Sequence, residues 1–138
     1  MRSLGLDVGT VTIGIAVSDP LGMFAQPVRT LQRTGRKAEV AELVTLVRDR
    51  EVSTIVVGLP LRTDASEGES ARESRRMAAA LEAALEGDDV NIVMQDERFT
   101  TAQAERVLIA GNVRRKKRKE VIDQVAAALI LQSWLDMQ

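Results

Sequence analysis

The sequence contains neither cysteine nor histidine. Without thiols there is no disulfide scaffold, no zinc–thiolate centre and no cysteine nucleophile. Without imidazole there is no Ser–His triad, no histidine-ligated zinc and no histidine acid–base pair. Chemistry in this chain has to run on carboxylates, hydroxyls, lysines or a bound metal. Aromatic residues are scarce as well, at 2%. Phe24, Phe99 and Trp134 are too few to make a single-strand binder that stacks bases on aromatic platforms. No apolar run approaches the ~20 residues that span a bilayer. Leu4 and Leu6 alternate with Gly5 and Asp7 where a signal core would be continuous. The expectation is a cytoplasmic protein with no membrane partner. A net charge of -1 gives no global sign of a nucleic-acid partner, so local charge has to carry that argument.

What is present is enough chain for a core and a clear pattern. The 138 residues fit one domain, since domains commonly run ~100–150 residues. Residues 3–8 alternate, with Leu4, Leu6 and Val8 on one face and Ser3, Gly5 and Asp7 on the other. A turn at Gly9-Thr10 and a second alternating run, Ile13, Ile15 and Val17, make a β-hairpin. A third strand is expected around Gln26–Leu31, with Pro27 near its start. From Lys37 to Arg50 the period becomes helical, with Val40, Leu43, Val44 and Val47 on one face.

Ile55-Val56-Val57 reads as a short strand buried on both faces, and residues 61–69 as a polar loop. Ser70 and Glu73 have capping-box spacing ahead of a helix carrying Met77, Ala78, Leu81 and Leu85. Val90 to Gln95 is a strand with Asp96-Glu97 at its end. Thr100 and Gln103 cap a further helix that Gly111 stops, and residues 120–136 form a last, largely apolar one. Strands first and alternation afterwards indicate an α/β fold, a mixed sheet covered by helices.

Three acidic residues stand out, each with an ordinary alternative. Asp7 before Gly9 could simply form a turn. Glu97 could be a solvated strand terminus, and spacing alone does not choose between it and Asp96. Asp123 shares a helical face with Ala126, Ala127, Ile130 and Trp134, so it sits at a surface edge or needs a partner. Its alternative is a first-turn Asp facing the helix dipole. Should the three carboxylates converge, they repel, and a divalent cation relieves the repulsion. Magnesium or manganese takes hard oxygen ligands, and such sites cut phosphodiesters without histidine or cysteine.

Arg114-Arg115-Lys116-Lys117-Arg118-Lys119 is a run of six cations placed before the last helix. A charge run is often only a solvated loop. Beside an acidic metal site it is expected instead to hold phosphates, positioning a nucleic acid without reading its sequence. Asp7-Val8-Gly9-Thr10 also resembles the phosphate-binding turn of sugar kinases and actin-like ATPases. Those enzymes need two such units, and this length allows one.

Five segments together resemble the YqgF (RuvX) family, relatives of RuvC-type resolvases in the ribonuclease H-like superfamily. They are Gly5-Leu6-Asp7-Val8-Gly9-Thr10, Gly14-Ile15-Ala16-Val17-Ser18-Asp19, Val56-Val57-Gly58-Leu59-Pro60-Leu61, Asp96-Glu97-Arg98-Phe99-Thr100-Thr101, and Asp123-Gln124-Val125-Ala126-Ala127 leading into Leu129-Ile130-Leu131-Gln132. The resemblance implies a ribonuclease H-like five-stranded mixed sheet spanning residues 1–138 as one nuclease domain. It implies Asp7, Glu97 and Asp123 as catalytic, metal-holding residues for Mg2+ or Mn2+, and it selects Glu97 over Asp96. Arg98 joins the basic run as an expected nucleic-acid contact. The implied activity is maturation of the 5′ end of pre-16S rRNA, with Holliday-junction resolution as the alternative. A non-catalytic RNA-binding assembly factor is the other alternative. Implied partners are precursor rRNA or branched DNA, and the ribosome, with the chain a monomer or homodimer. The chain departs from the family at Val8, where Tyr is usual, and near Val11-Thr12, where a basic residue is common. It has Ala65 where the family has glycine.

Overall fold

The alternating pattern of the first eighteen residues builds the middle of a five-stranded sheet. A computed structural model describes residues 2–97 and 115–138, with the side chains of all of these except 115–123. Strands β1 (Arg2–Val8) and β2 (Thr12–Ser18) form the expected antiparallel hairpin, with Leu4 opposite Val17 and Asp7 opposite Gly14. The Gly9 N–H donates to the Thr12 carbonyl at 2.9 Å and closes the turn. Strand β3 (Ala25–Gln32) pairs antiparallel with β2 and forms one edge. Pro27 is tolerated there because an edge strand can do without one ladder N–H.

Helix α1 (Arg36–Asp49) leads into β4 (Val52–Leu59), which pairs parallel with β1. Helix α2 (Glu69–Ala84) leads into β5 (Asn91–Asp96), parallel to β4. The sheet order is β3-β2-β1-β4-β5. Helix α3 (Arg115–Leu135) closes the described chain. The helix expected between Thr100 and Ala110 lies outside the described residues.

The two faces of the sheet follow from the strand period of two. Leu4, Leu6, Val8, Ile13, Ile15, Val17, Ile55 and Val57 point to α1 and α2, where Leu43, Val47, Met77 and Leu81 meet them. Ala16 and Val56 point the other way, to Ala127, Ile130 and Leu131 of α3. Helix α3 approaches closely because β1 offers it Gly5: a Cβ there would lie 2.8 Å from the Ala127 carbonyl oxygen and from the Leu131 Cβ. Among the described residues, no helix is long and apolar enough to cross a membrane.

Three local expectations need correction. Ser70 does not cap α2: the helix begins at Glu69 behind Gly68, with no side-chain cap bond. Glu73 is engaged instead by Arg33, Arg36 and Arg76, and charge-assisted bonds to three guanidiniums outcompete a backbone N–H. From Arg115 onward the basic run does not precede the last helix but forms part of it. Arginine and lysine are good helix formers, and no glycine or proline interrupts the run. Finally, β4 is eight residues long rather than three. Ser53, Thr54 and Gly58 hide its full length by breaking the apolar pattern.

Candidate active site

Asp7 and Glu97 come to the same face of the sheet. Gly5 faces α3, so Asp7, two residues along β1, faces it too. Strands β1 and β4 run parallel with Leu6 opposite Val57, which makes Asp7 and Gly58 the next residues on each strand. Adjacent strands are ~4.8 Å apart, so the Asp7 side chain leaves the sheet beside Gly58. Glu97 follows the last residue of β5, and its N–H donates to the Leu59 carbonyl at 3.1 Å, which prolongs the β4–β5 pairing. Its carboxyl folds back over Gly58. A Cβ at position 58 would lie 2.9 Å from the Glu97 Cδ and Oε2, and 2.5 Å from the Ile130 Cδ1. Glycine at 58 thus makes the space that Glu97 occupies.

Glu97 is 8% exposed, whereas neighbouring Asp96 is exposed on the other face. Strand alternation therefore separates two residues that sequence spacing could not.

The third expected residue, Asp123, belongs to α3. The Gln124 Nε2 donates to the Thr30 hydroxyl at 2.9 Å, while the Gln132 Oε1 accepts the Ala25 N–H at 2.9 Å. Helix α3 therefore runs against β3, and so against β1. Thr30 lies opposite Gly14, and Gly14 opposite Asp7, so the Gln124 end of α3 stands on the Asp7 rung. Moving from Gly5 to Asp7 advances ~6.6 Å along a strand. Moving back from Ala127 to Asp123 covers ~6 Å of helix axis, in the same direction. The backbone of residue 123 is thereby level with Asp7; its side chain lies outside the described set. Arg98 and Arg114, and the side chains of Arg115, Lys116, Lys117, Arg118 and Lys119, also lie outside it.

Among the described residues, no group of three or more acidic side chains gathers closely enough to hold a metal. Asp7 and Glu97 are two carboxylates on one face of the sheet. Both donors are hard carboxylate oxygens, and the opening above Gly58 already holds one of them. That donor chemistry fits magnesium or manganese.

A second polar assembly lies at the same end of the sheet, on the α1/α2 side, where no local sequence pattern points to it. Arg33, between β3 and α1, donates from its backbone N–H to the Val11 carbonyl at 3.0 Å and from Nη1 to the Gly9 carbonyl at 2.7 Å. Its Nε donates to the Glu39 Oε2 at 3.0 Å and its Nη2 to the Glu73 Oε1 at 2.8 Å. Glu39 is 1% exposed, and its Oε2 also accepts the Gly35 N–H at 3.1 Å. Burial pushes the Glu39 carboxyl up, but the Arg33 and Gly35 bonds outweigh it and hold the group below the usual range. Burial likewise raises Glu73, and bonds from Arg33, Arg36 and Arg76 overcome it, bringing Glu73 down to about 2. A cleft of about 480 Å³ opens here, lined by Thr10, Arg33, Arg36, Glu39, Ser70 and Glu73. Its lining carries two guanidiniums, Arg33 and Arg36, against three carboxylates, Glu39, Glu69 and Glu73. No periodicity could have shown Glu39, because a charged residue on a helix reads as solvent-facing until its partner is known.

Comparison with known proteins adds a family. A family model described as "RuvX: Holliday junction resolvase" matches residues 1–137. A protein of Myxococcus xanthus (strain DK1622) is 50% identical over 136 residues, covering 99% of this chain and 88% of its own. One from Halalkalibacterium halodurans is 51% identical over 140 residues, covering 100% and 98%. Both bear the name "Putative pre-16S rRNA nuclease". Among solved structures, T. thermophilus RuvC in complex with Holliday junction substrate matches with a TM-score of 0.60 at 16% identity, over 99% of this chain and 94% of that one. At such identity the likeness concerns the fold alone. The five-stranded mixed sheet with helices on both faces is the ribonuclease H-like arrangement that the sequence led us to expect.

Proposed function

The chain belongs to the RuvX family, and on that premise we propose that it is a divalent-metal-dependent nuclease that processes the 5′ end of pre-16S rRNA. The observation that carries this reading is the Glu97 carboxyl seated over Gly58, on the face and at the strand end where Asp7 emerges. Asp7, Glu97 and Asp123 are the proposed metal-holding and catalytic residues. A bound divalent cation supplies the positive charge that displacement at phosphorus needs and makes water a better nucleophile. The chain's own part is to hold two carboxylates on a rigid sheet and bring the third on α3. Their mutual repulsion without the cation favours its binding. Arg98 and the cations from Arg114 to Lys119 hold phosphates of the incoming strand. Each phosphate neutralised steepens the salt dependence of binding by ~0.7 in log–log slope for a single strand. The whole chain acts as one domain, in the cytoplasm where ribosomal precursors are made.

A second reading, cleavage of branched DNA, is favoured by the description of the family model. Both readings use the same carboxylates. Side-by-side cleavage of precursor 16S rRNA, single-stranded RNA and a four-way DNA junction, with magnesium or manganese, separates them. Precursor rRNA is expected to be cut, and cut at its 5′ side. Asp7→Asn, Glu97→Gln and Asp123→Asn should each lower the rate by about two orders of magnitude or more while the melting temperature holds. Parent-like cutting by all three would end the assignment. Cleavage of the junction alone would transfer it to DNA.

A further inference from the structure

Beyond Gly58 the chain turns away from the sheet, and the turn is tied to the same atom as Glu97. The Leu59 carbonyl accepts the Glu97 N–H at 3.1 Å and the Leu61 N–H at 2.9 Å. Residues 61–68 then close on themselves. Leu61 bridges to Glu67, the Arg62 N–H donates to the Ser66 carbonyl at 2.9 Å, and the Ala65 N–H donates to the Arg62 carbonyl at 2.8 Å. The exposed side chain of Arg62 stands on this fixed loop. We propose that Arg62 is a substrate-binding residue of the site, holding a backbone phosphate of the nucleic acid on the β4 side of the carboxylates.

The case rests on charge left over. Around the start of α2 the other arginines have carboxylate partners: Arg33 and Arg36 meet Glu73, Arg72 and Arg76 meet Glu69, and Arg75 takes Glu67 from two nitrogens. Arg62 has no ion pair among the described residues. Asp64 feels its charge, but that carboxyl is held low first by Ser66, whose N–H and hydroxyl both donate to Oδ1. The Arg62 guanidinium is nevertheless located, since a Cβ on Gly68 would lie 3.3 Å from its Nε and Nη2. Gly68 is the N-cap of α2, the end of a helix where a cation is disfavoured. Local electrostatics therefore do not explain the cation, whereas a phosphate does, because a planar guanidinium can hold two of its oxygens at once. The position suits a substrate strand. From Leu59 to Arg62 is three residues, at most ~10 Å of chain, so a strand that meets the Glu97 carboxyl passes within reach. The start of α3 is tied to β3 by Gln124, whereas Arg62 follows β4, on the other side of β1. A strand held at both places has the bond to be cut fixed between them.

The inference rests on the nuclease reading for the identity of its ligand, and the experiment keeps the two apart. Binding of a single-stranded precursor 16S rRNA fragment is measured across a salt series without divalent metal. The full-chain parent is compared with Arg62→Gln, Arg62→Lys and Arg50→Gln. Arg50 follows α1 at the far end of the sheet, before β4 begins, and controls for net charge. Arg62→Gln is expected to bind about eightfold more weakly near ~0.05 M salt and about fourfold near ~0.15 M, with a log–log slope shallower by ~0.7. Arg62→Lys, which keeps the charge and loses the fork, should keep the slope. Arg50→Gln should bind as the parent does. With magnesium present, Arg62→Gln should raise KM and leave kcat unchanged, the mark of binding lost equally in the ground and transition states. Affinity and slope like the parent's in Arg62→Gln overturn the proposal. So does an equal loss in Arg50→Gln, which would make the effect one of net charge. Glu97→Gln judges the catalytic reading separately: if it cuts as the parent does, that reading falls, while Arg62 is still decided by the slope.

Discussion

The sheet presents one face to α1 and α2 and the other to α3, and the two are built differently. Toward α1 and α2 the strands carry full-sized side chains, Leu4, Leu6, Ile13, Ile15 and Ile55, all buried without remainder. Toward α3 they carry small ones: Gly5, Gly14, Ala16 and Gly58, with Val56 among them. The first face derives its energy from apolar area. The second gives up area so that a helix backbone can come close and a carboxylate can stand over a strand. Seating the Glu97 carboxyl over a strand is easier on the face that carries little apolar bulk. A change in one face then need not disturb the other.

This division can be tested by perturbing each face once. Leu81→Ala, at the α2 interface, should cost ~2–5 kcal/mol of stability, read by urea or thermal unfolding, because it opens a cavity in a dry core. The folded fraction should still cut at the parent rate. Gly58→Ala should cost less, ~1–3 kcal/mol, because it crowds Ile130 and Glu97 rather than leaving a void. It should nevertheless lower the cleavage rate at least tenfold. Equal losses of cleavage per folded molecule would dissolve the contrast between the faces.

Acid offers a gentler probe of the α1/α2 side. Glu73 stands at about 2, against an ordinary value of 4.5. Its carboxylate is therefore stabilising above pH ~4.5, and that contribution disappears as pH falls toward 2. The linked stability is roughly 3 kcal/mol in all, and Glu39 is shifted in the same direction. The melting temperature should drop through this window, and Glu73→Gln should flatten the drop while lowering stability at neutral pH. An unchanged acid profile in that variant would mean that the three arginines do not hold Glu73 as described. The smallest effect is a gain. Ala65 has φ +70°, a backbone region that favours glycine. Ala65→Gly should therefore raise stability by ~1 kcal/mol, measured by chemical denaturation. A loss would show that the loop gains more from a stiffer unfolded chain than it spends on strain.

The strands could be read from the sequence because alternation is a direct image of which face meets which helix. Leu4, Leu6 and Val8 could hardly be placed otherwise once Ser3, Gly5 and Asp7 lay between them. The closeness of α3 was also foreshadowed by Ala126 and Ala127. What local pattern could not supply was pairing over distance. Glu97 and Asp96 are equivalent by local pattern, and in the structure the strand's face and the glycine on the neighbouring strand distinguish them. Glu39 lies 34 residues from Glu73 in the chain and reads as solvent-facing until Arg33 is seen between them. The capping-box spacing at Ser70 misled for the same reason, since Glu73 was already committed to partners on another element.

The two glutamines of α3 have a consequence of their own. Gln124 and Gln132 grip opposite ends of one edge strand, Thr30 at one end and Ala25 with the Met23 carbonyl at the other. They are eight residues apart in α3, ~12 Å along the axis, and so act as a pair of end stops. To slide by a single turn, the helix would have to release all three hydrogen bonds at once and leave Ala127 facing the wrong part of β1. The position of residue 123 along the sheet is in this sense inherited from β3. A force on the N-terminal end of α3 would thus meet the Gln124–Thr30 bond first and be carried along the helix to Gln132 and the far end of the edge strand.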